Sequence, residues 1–218
     1  MDKKRYFSNA NLIIGLLALI NVFIHIYFSL NLEYHRDELL YFSLGRHPDF
    51  GYATVPPMIG WIAWLMQGII GNSLFAVRIF PALMSAVFVV LVSETARELG
   101  GSSSARILAA VGSVVSIIGL RTFLMFQPVH IDLLMWTLMF YLVARYVNTG
   151  ADKFLILLGI TAGAALLNKY LIGLLLFSLL LVIPFTRFKN IFCKKSFLFA
   201  LTGGLLVFSP NLIWHIVN

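Results

Sequence analysis

Three carboxylates carry the chemistry this sequence offers. Asp37 and Glu38 lie together in His35-Arg36-Asp37-Glu38, directly after the first long apolar segment, and Asp132 follows His130 at the start of a later one. A carboxylate at a membrane edge can act as a general base, a contribution of typically ~10²–10⁴-fold. On a short helix successive side chains point ~100° apart. Asp37 and Glu38 are therefore not equivalent: one can meet a nucleophile while the other holds a hydroxyl or orients its neighbour. The bland reading of the pair is a solvated loop. For Asp132 it is an interfacial acid reaching for water, where insertion costs less than the ~2.5–3.5 kcal/mol of mid-membrane.

Cations and imidazoles lie close by in the sequence. His35 and Arg36 precede the acidic pair, and Arg121 and His130 flank a short turn before Asp132. Lys169 interrupts two apolar stretches. It is either the mark of a turn or a point charge able to hold a phosphate. His35, His47 and His130 lack the tight spacing of a metal site. No cofactor is therefore required, although a divalent metal stays open. The one cysteine, Cys193, excludes an internal disulfide.

The elements that must position these groups are membrane helices. The chain is 60% hydrophobic with a mean hydropathy of +0.92, and its apolar runs approach the ~20 residues that cross a bilayer. This composition excludes a soluble domain. The net charge of +7 does not indicate nucleic acid, because the basic residues are dispersed at segment ends. The reading is all-α: a polytopic bundle of about seven spans at 12–30, 74–95, 105–120, 129–146, 154–167, 170–185 and 197–217. Residues 32–57 form an outer loop with a short helix at 37–45. Residues 58–70 rise only ~20 Å, too short to cross, and lie along the membrane surface after Pro56-Pro57. Ser73 caps the span that follows. The turn at Asn168-Lys169 is read as a hairpin rather than one long helix.

Charge sets the expected sidedness. With a cytoplasmic N-terminus, eleven of the sixteen Lys and Arg lie inside, namely Lys3, Lys4, Arg5, Arg97, Arg106, Arg145, Lys153 and the four after Phe185. Arg36, Arg46, Arg78, Arg121 and Lys169 then lie outside or at the outer edge, with all five histidines and with Asp37, Glu38 and Asp132. The reading requires residues 37, 38, 132 and 169 to share one outer pocket.

Several motifs resemble a known family. Tyr34-His35-Arg36-Asp37-Glu38-Leu39-Leu40-Tyr41, Gly51-Tyr52, Pro56-Pro57, and Asn72-Ser73 with Arg78 and Pro81 are similar to the N-terminal half of the membrane-embedded GT-C glycosyltransferases. Family 39, with its protein O-mannosyltransferases and lipid A aminoarabinose transferases, is the nearest group. Val129-His130-Ile131-Asp132-Leu133-Leu134 resembles that family's second acidic segment, and Leu167-Asn168-Lys169-Tyr170 its Lys-containing turn. The resemblance runs from about residue 10 onward and makes residues 1–218 a single module, incomplete at its C-terminus. Some relatives place a basic residue or histidine before Pro-Pro; Val55 stands there in this chain, so that contact is not carried over.

The resemblance implies a donor sugar on a polyprenyl phosphate (dolichyl or undecaprenyl) and an acceptor hydroxyl of protein, lipid or glycan on the extracytoplasmic face of a bacterial inner membrane. It implies inverting displacement, with Asp37 as base and Glu38 and Asp132 positioning hydroxyls. His35, Arg36, Arg121, His130 and Lys169 complete the expected substrate contacts. Lys169 or Arg121 would stabilise the departing phosphate. Two other readings compete: a transporter or lipid-handling protein, which would carry midplane charges and repeated halves, and a non-catalytic assembly subunit.

Overall fold

A computed structural model describes residues 3–218, with side chains from residue 9. Lys3, Lys4 and Arg5, expected to anchor the inner end, therefore have side chains outside the description. The described residues contain helices and no strand. Three helical segments combine the length and apolar composition needed to cross a bilayer: Asn9–Leu30, Leu74–Glu98 and Lys195–Val217. Met58–Ile70, Ser103–Val115 and Ile172–Phe185 are apolar but shorter. The protein is an all-α membrane protein. The packing groups it into two compact units, each described in turn.

The first unit comprises residues up to Pro48 together with Ile59–Thr137. It holds α1 (Lys3–Leu30), α2 (Arg36–Leu44), most of α3 (Met58–Ile70), α4 (Leu74–Glu98), α5 (Ser103–Val115), α6 (Ile117–Thr122) and the start of α7 (Pro128–Thr149). Its core packs Ile14 and Ala18 of α1 against Val89 of α4 and Ala110 and Val114 of α5. Local chemistry sets the boundaries. Ser73 caps α4 by accepting from the Ala76 N–H at 3.2 Å. Gly71 takes a left-handed φ of 97° to end α3.

One expected span is divided. The run at 105–120 breaks at Ser116, whose extended backbone (φ −64°, ψ 124°) ends α5 and starts α6. The Ser116 hydroxyl accepts from the Gly119 N–H at 3.3 Å, a local alternative to the helical ladder. At its far end from α2, this unit buries Arg106, which donates to Asn11 Oδ1 at 2.9 Å and Glu94 Oε1 at 2.6 Å.

The second unit comprises Asp49–Met58 and Leu138–Asn218, with the rest of α7, α8 (Asp152–Leu166), α9 (Ile172–Val182) and α10 (Lys195–Val217). Helices α8 and α10 run parallel at backbone contact. A Cβ at Gly159 would meet the Ala200 carbonyl, and one at Gly163 the Gly204 carbonyl. Small residues four apart permit this approach inside a membrane, where packing rather than water drives association. Between them the chain reverses at Asn168-Lys169, as a hairpin requires, through bonds from Asn168 N–H and Lys169 N–H to Ala165 O. After α9, two short 3₁₀ turns return Ile183, Phe188 and Ile191 to a core with Tyr146 and Phe154 at the start of α8.

Candidate functional site

Helix α2 begins where it does because His35 caps it. The His35 backbone is extended, and its Nδ1 accepts from the Asp37 N–H at 3.2 Å. In return, Glu38 Oε2 accepts from the His35 N–H at 2.9 Å. This is a capping box with imidazole in the place usually held by a hydroxyl. An accepting Nδ1 puts the proton of neutral His35 on Nε2. Gln127, just before α7, brings its Nε2 within 3.5 Å of the same Nδ1.

The two adjacent acids receive opposite environments. Asp37 is half-buried, its carboxylate 3.8 Å from His35 Nδ1 and 3.5 Å from Arg36 Nε. Arg36 itself is 93% exposed. Glu38 is fully enclosed, with a side-chain exposure of 0%. Its Oε1 accepts from Arg78 Nε at 3.0 Å and the Phe126 N–H at 3.0 Å, and its Oε2 from Arg78 Nη2 at 2.7 Å and the His35 N–H. Arg78 completes its own set by donating to the carbonyls of Ser29, Leu32 and Glu33. Burial alone pushes the Glu38 carboxyl up, but Arg78 and the His35 and Phe126 amides hold it below its ordinary 4.5. A buried ion pair with all its hydrogen bonds made joins the end of α1, α2, α4 and the loop before α7. Glu38, expected to reach a substrate hydroxyl, has both oxygens engaged by the protein.

The other expected contacts are distributed unevenly. Arg121 is exposed in the last turn of α6. Asp132 is half-buried in the second turn of α7. His130 has 0% exposure, enclosed by the rings of Phe80 (5.6 Å), Phe126 (6.0 Å) and Phe123 (6.4 Å) between centroids. Among the described residues, no group of three His, Cys, Asp or Glu is placed to hold a metal. Asp37, Glu38 and Asp132 belong to the first unit and Lys169 to the second.

In the second unit, Lys169 is half-buried in the α8–α9 turn, beside a polar cluster that the sequence did not announce. Met58 N–H donates to Leu167 O at 3.0 Å, and Asn211 Nδ2 to Phe50 O at 2.9 Å, so residues 49–58 are strapped to this end. Because Phe50 O can only accept, the Asn211 amide is oriented, and its Oδ1 takes the Tyr170 O–H at 2.8 Å. The Tyr170 oxygen, 2.8 Å from His215 Nε2, then accepts a hydrogen bond from the N–H at that nitrogen.

The sequence places Arg78 in a family motif and at the outer edge, but not as the ion-pair partner of Glu38. Its signal was present: a lone arginine in the second turn of a long apolar segment needs an anionic partner. The stripe of small residues at 159, 163, 200 and 204 was equally legible. Comparison with known proteins adds the family context. The model described as dolichyl-phosphate-mannose-protein mannosyltransferase matches residues 54–214. That span includes Arg78, Arg121, Asp132 and Lys169 and begins after α2. The chain is 24% identical over 201 residues to the lipid A galacturonosyltransferase RgtD of Rhizobium johnstonii, an alignment covering 84% of this chain and 39% of that protein. The chain therefore spans about two fifths of the length of this curated relative. No solved structure matches it.

Proposed function

The chain belongs to the dolichyl-phosphate-mannose-protein mannosyltransferase family, and from that membership we propose that it transfers a sugar from a polyprenyl phosphate to an acceptor hydroxyl on the extracytoplasmic face of a bacterial inner membrane. Asp37 is the base. Its carboxylate takes the acceptor proton as the acceptor oxygen attacks the anomeric carbon. The bond from that carbon to the phosphate oxygen breaks, and polyprenyl phosphate departs. The configuration inverts because attack and departure lie on opposite faces.

The observation that carries this reading is the contrast between the two adjacent acids. Glu38 is locked into Arg78, whereas Asp37 is left accessible on the same helical turn. Glu38 is thus a positioning residue that acts through the backbone of α2, and Asp37 is the group available to substrate. Asp132 holds a sugar or acceptor hydroxyl, and Arg121 and Arg36 offer charge to the phosphate. In the second unit, Lys169 provides a further cation for an anionic substrate group. His130 supports the fold of the first unit from within its aromatic enclosure.

The test is Asp37→Asn in the full-length protein, assayed with labelled polyprenyl-phosphate sugars in membranes. Transfer should fall by at least about 10²-fold, with membrane insertion and expression unchanged. Transfer at the parental rate would remove Asp37 as the base.

A further inference from the structure

The two units treat the basic residues at their helix ends differently. In the first unit, Glu94 lies 2.5 Å from Arg97 and 2.6 Å from Arg106, and Glu98 lies 3.5 Å from Arg97. Two cations face two carboxylates, and the charge closes on itself. In the second unit, Arg145, Lys153, Arg187, Lys189, Lys194 and Lys195 gather where α7 ends and α8 and α10 begin. Asp152 is the one acid in the sequence from residue 138 onward, and its 3.5 Å contact with Lys194 joins two exposed side chains. Most of this charge has no anion in the protein. Rings hold it instead: Arg145 and Lys153 lie over Phe154 at 4.8 and 5.1 Å, Arg187 over Phe188 at 4.9 Å and Lys194 over Tyr146 at 5.7 Å. The Tyr146 and Phe188 rings are themselves 5.8 Å apart, so the patch is continuous. A ring face attracts a cation without neutralising it.

We propose that the segment from Phe185 to Lys195 binds an anionic phospholipid, its phosphodiester against Arg187, Lys189 and Lys195 and its acyl chains beside Phe185 and Phe192. Arg187 donates to Val147 O at 3.4 Å through Nη2 alone, and its planar fork suits the paired oxygens of a phosphate. Lys189 and Lys195 are exposed and have no side-chain partner among the described residues. The apolar half of the ligand follows from the same segment. Phe185 is 91% exposed at the end of α9, and Phe192 is exposed with its ring edge-on to Phe197 at 5.1 Å. Aromatic rings interleaved with cations mark a segment lying at the headgroup level, rings toward the acyl chains. A soluble acidic partner or a free phosphate would leave Phe185 in water. Sidedness alone asks only for basic residues at this end, paired or not; the unmatched charge beside exposed rings is what a phospholipid completes.

The test measures Kd for phosphatidylglycerol and for phosphatidylcholine with the same acyl chains, by native mass spectrometry of the full-length protein purified in detergent. A basic residue at an anionic headgroup contributes about fivefold in affinity, so three should make phosphatidylglycerol about 10²-fold the tighter ligand. Lys189→Gln combined with Lys195→Gln should weaken phosphatidylglycerol about 25-fold and leave phosphatidylcholine unchanged. Its unfolding midpoint in phosphatidylcholine should match the parent's, which separates a lost site from a lost fold. Arg97→Gln removes one positive charge in the first unit and should keep the full preference. Equal affinity for the two lipids, an unchanged preference in the double variant, or the same loss in Arg97→Gln overturns the proposal. Two competitors check the source of the anion. Glycerol phosphate displacing the lipid at equal concentration would leave the acyl chains no part, and displacement by polyglutamate would assign the patch to an acidic protein; either result overturns the lipid site.

Discussion

In the proposed reaction Glu38 and Arg78 act without touching the substrate. The carboxylate accepts four hydrogen bonds and the guanidinium donates from all three of its nitrogens, so removing either leaves the other's charge buried without its ionic partner. Such a loss costs about 3–5 kcal/mol. Arg78→Lys should be nearly as damaging as Arg78→Ala, since an ammonium cannot reproduce the planar fork. Both are checked by the thermal unfolding midpoint in detergent. The pH dependence has a fixed sign. The folded Glu38 carboxyl lies below its ordinary 4.5, so its contribution is complete above that value. It is lost as pH falls through the lowered folded value. The unfolding midpoint should therefore hold through neutral pH and drop in acid, and Glu38→Gln should flatten that drop while lowering stability at neutral pH. The sequence shows Asp37 and Glu38 as a pair, and their inequivalence follows from helical geometry. It does not show which one is buried, because the deciding partner lies forty positions away on α4.

The helices were legible where their signals are local. Ser73 accepting from Ala76 N–H, the thirteen residues of α3 after Pro56-Pro57, and the reversal at Asn168-Lys169 each depend on a few adjacent residues. The division at Ser116 was not legible, because the hydropathy of 105–120 is continuous and one serine hydroxyl makes the difference. The α8–α10 seam gives the sharpest prediction at this level. Gly163→Leu should drive a side chain into the Gly204 backbone and destabilise the second unit by about 1–3 kcal/mol or more. Gly15→Ala and Gly173→Ala meet nothing within 4 Å. They should be neutral or raise stability by up to about 1 kcal/mol through helix propensity. Parallel thermal unfolding of the three variants separates a packing role for the small residues from mere tolerance of them.

The molecule as a whole must have a direction in the membrane, and the second unit carries a clear charge asymmetry. Arg145, Lys153, Arg187, Lys189, Lys194 and Lys195 lie at the end where α8 begins, and Lys169 lies at the other. Several of the six are held by local contacts: Arg145 lies over the Phe154 ring at 4.8 Å, Arg187 over Phe188 at 4.9 Å, and Lys194 is 3.5 Å from Asp152. Basic residues close to span ends favour the cytoplasm, and the proposed orientation puts Tyr170 and His215 on the opposite face. The chain supplies its own probe, because Cys193 is its one cysteine and is exposed at the basic end. A membrane-impermeant maleimide added to intact cells should leave Cys193 unmodified and label it only after permeabilisation. In Cys193→Ser combined with Tyr170→Cys, the same reagent should label without permeabilisation, since Tyr170 is exposed. The reversed pattern would put the Lys169 end in the cytoplasm and remove the basis for an extracytoplasmic donor site.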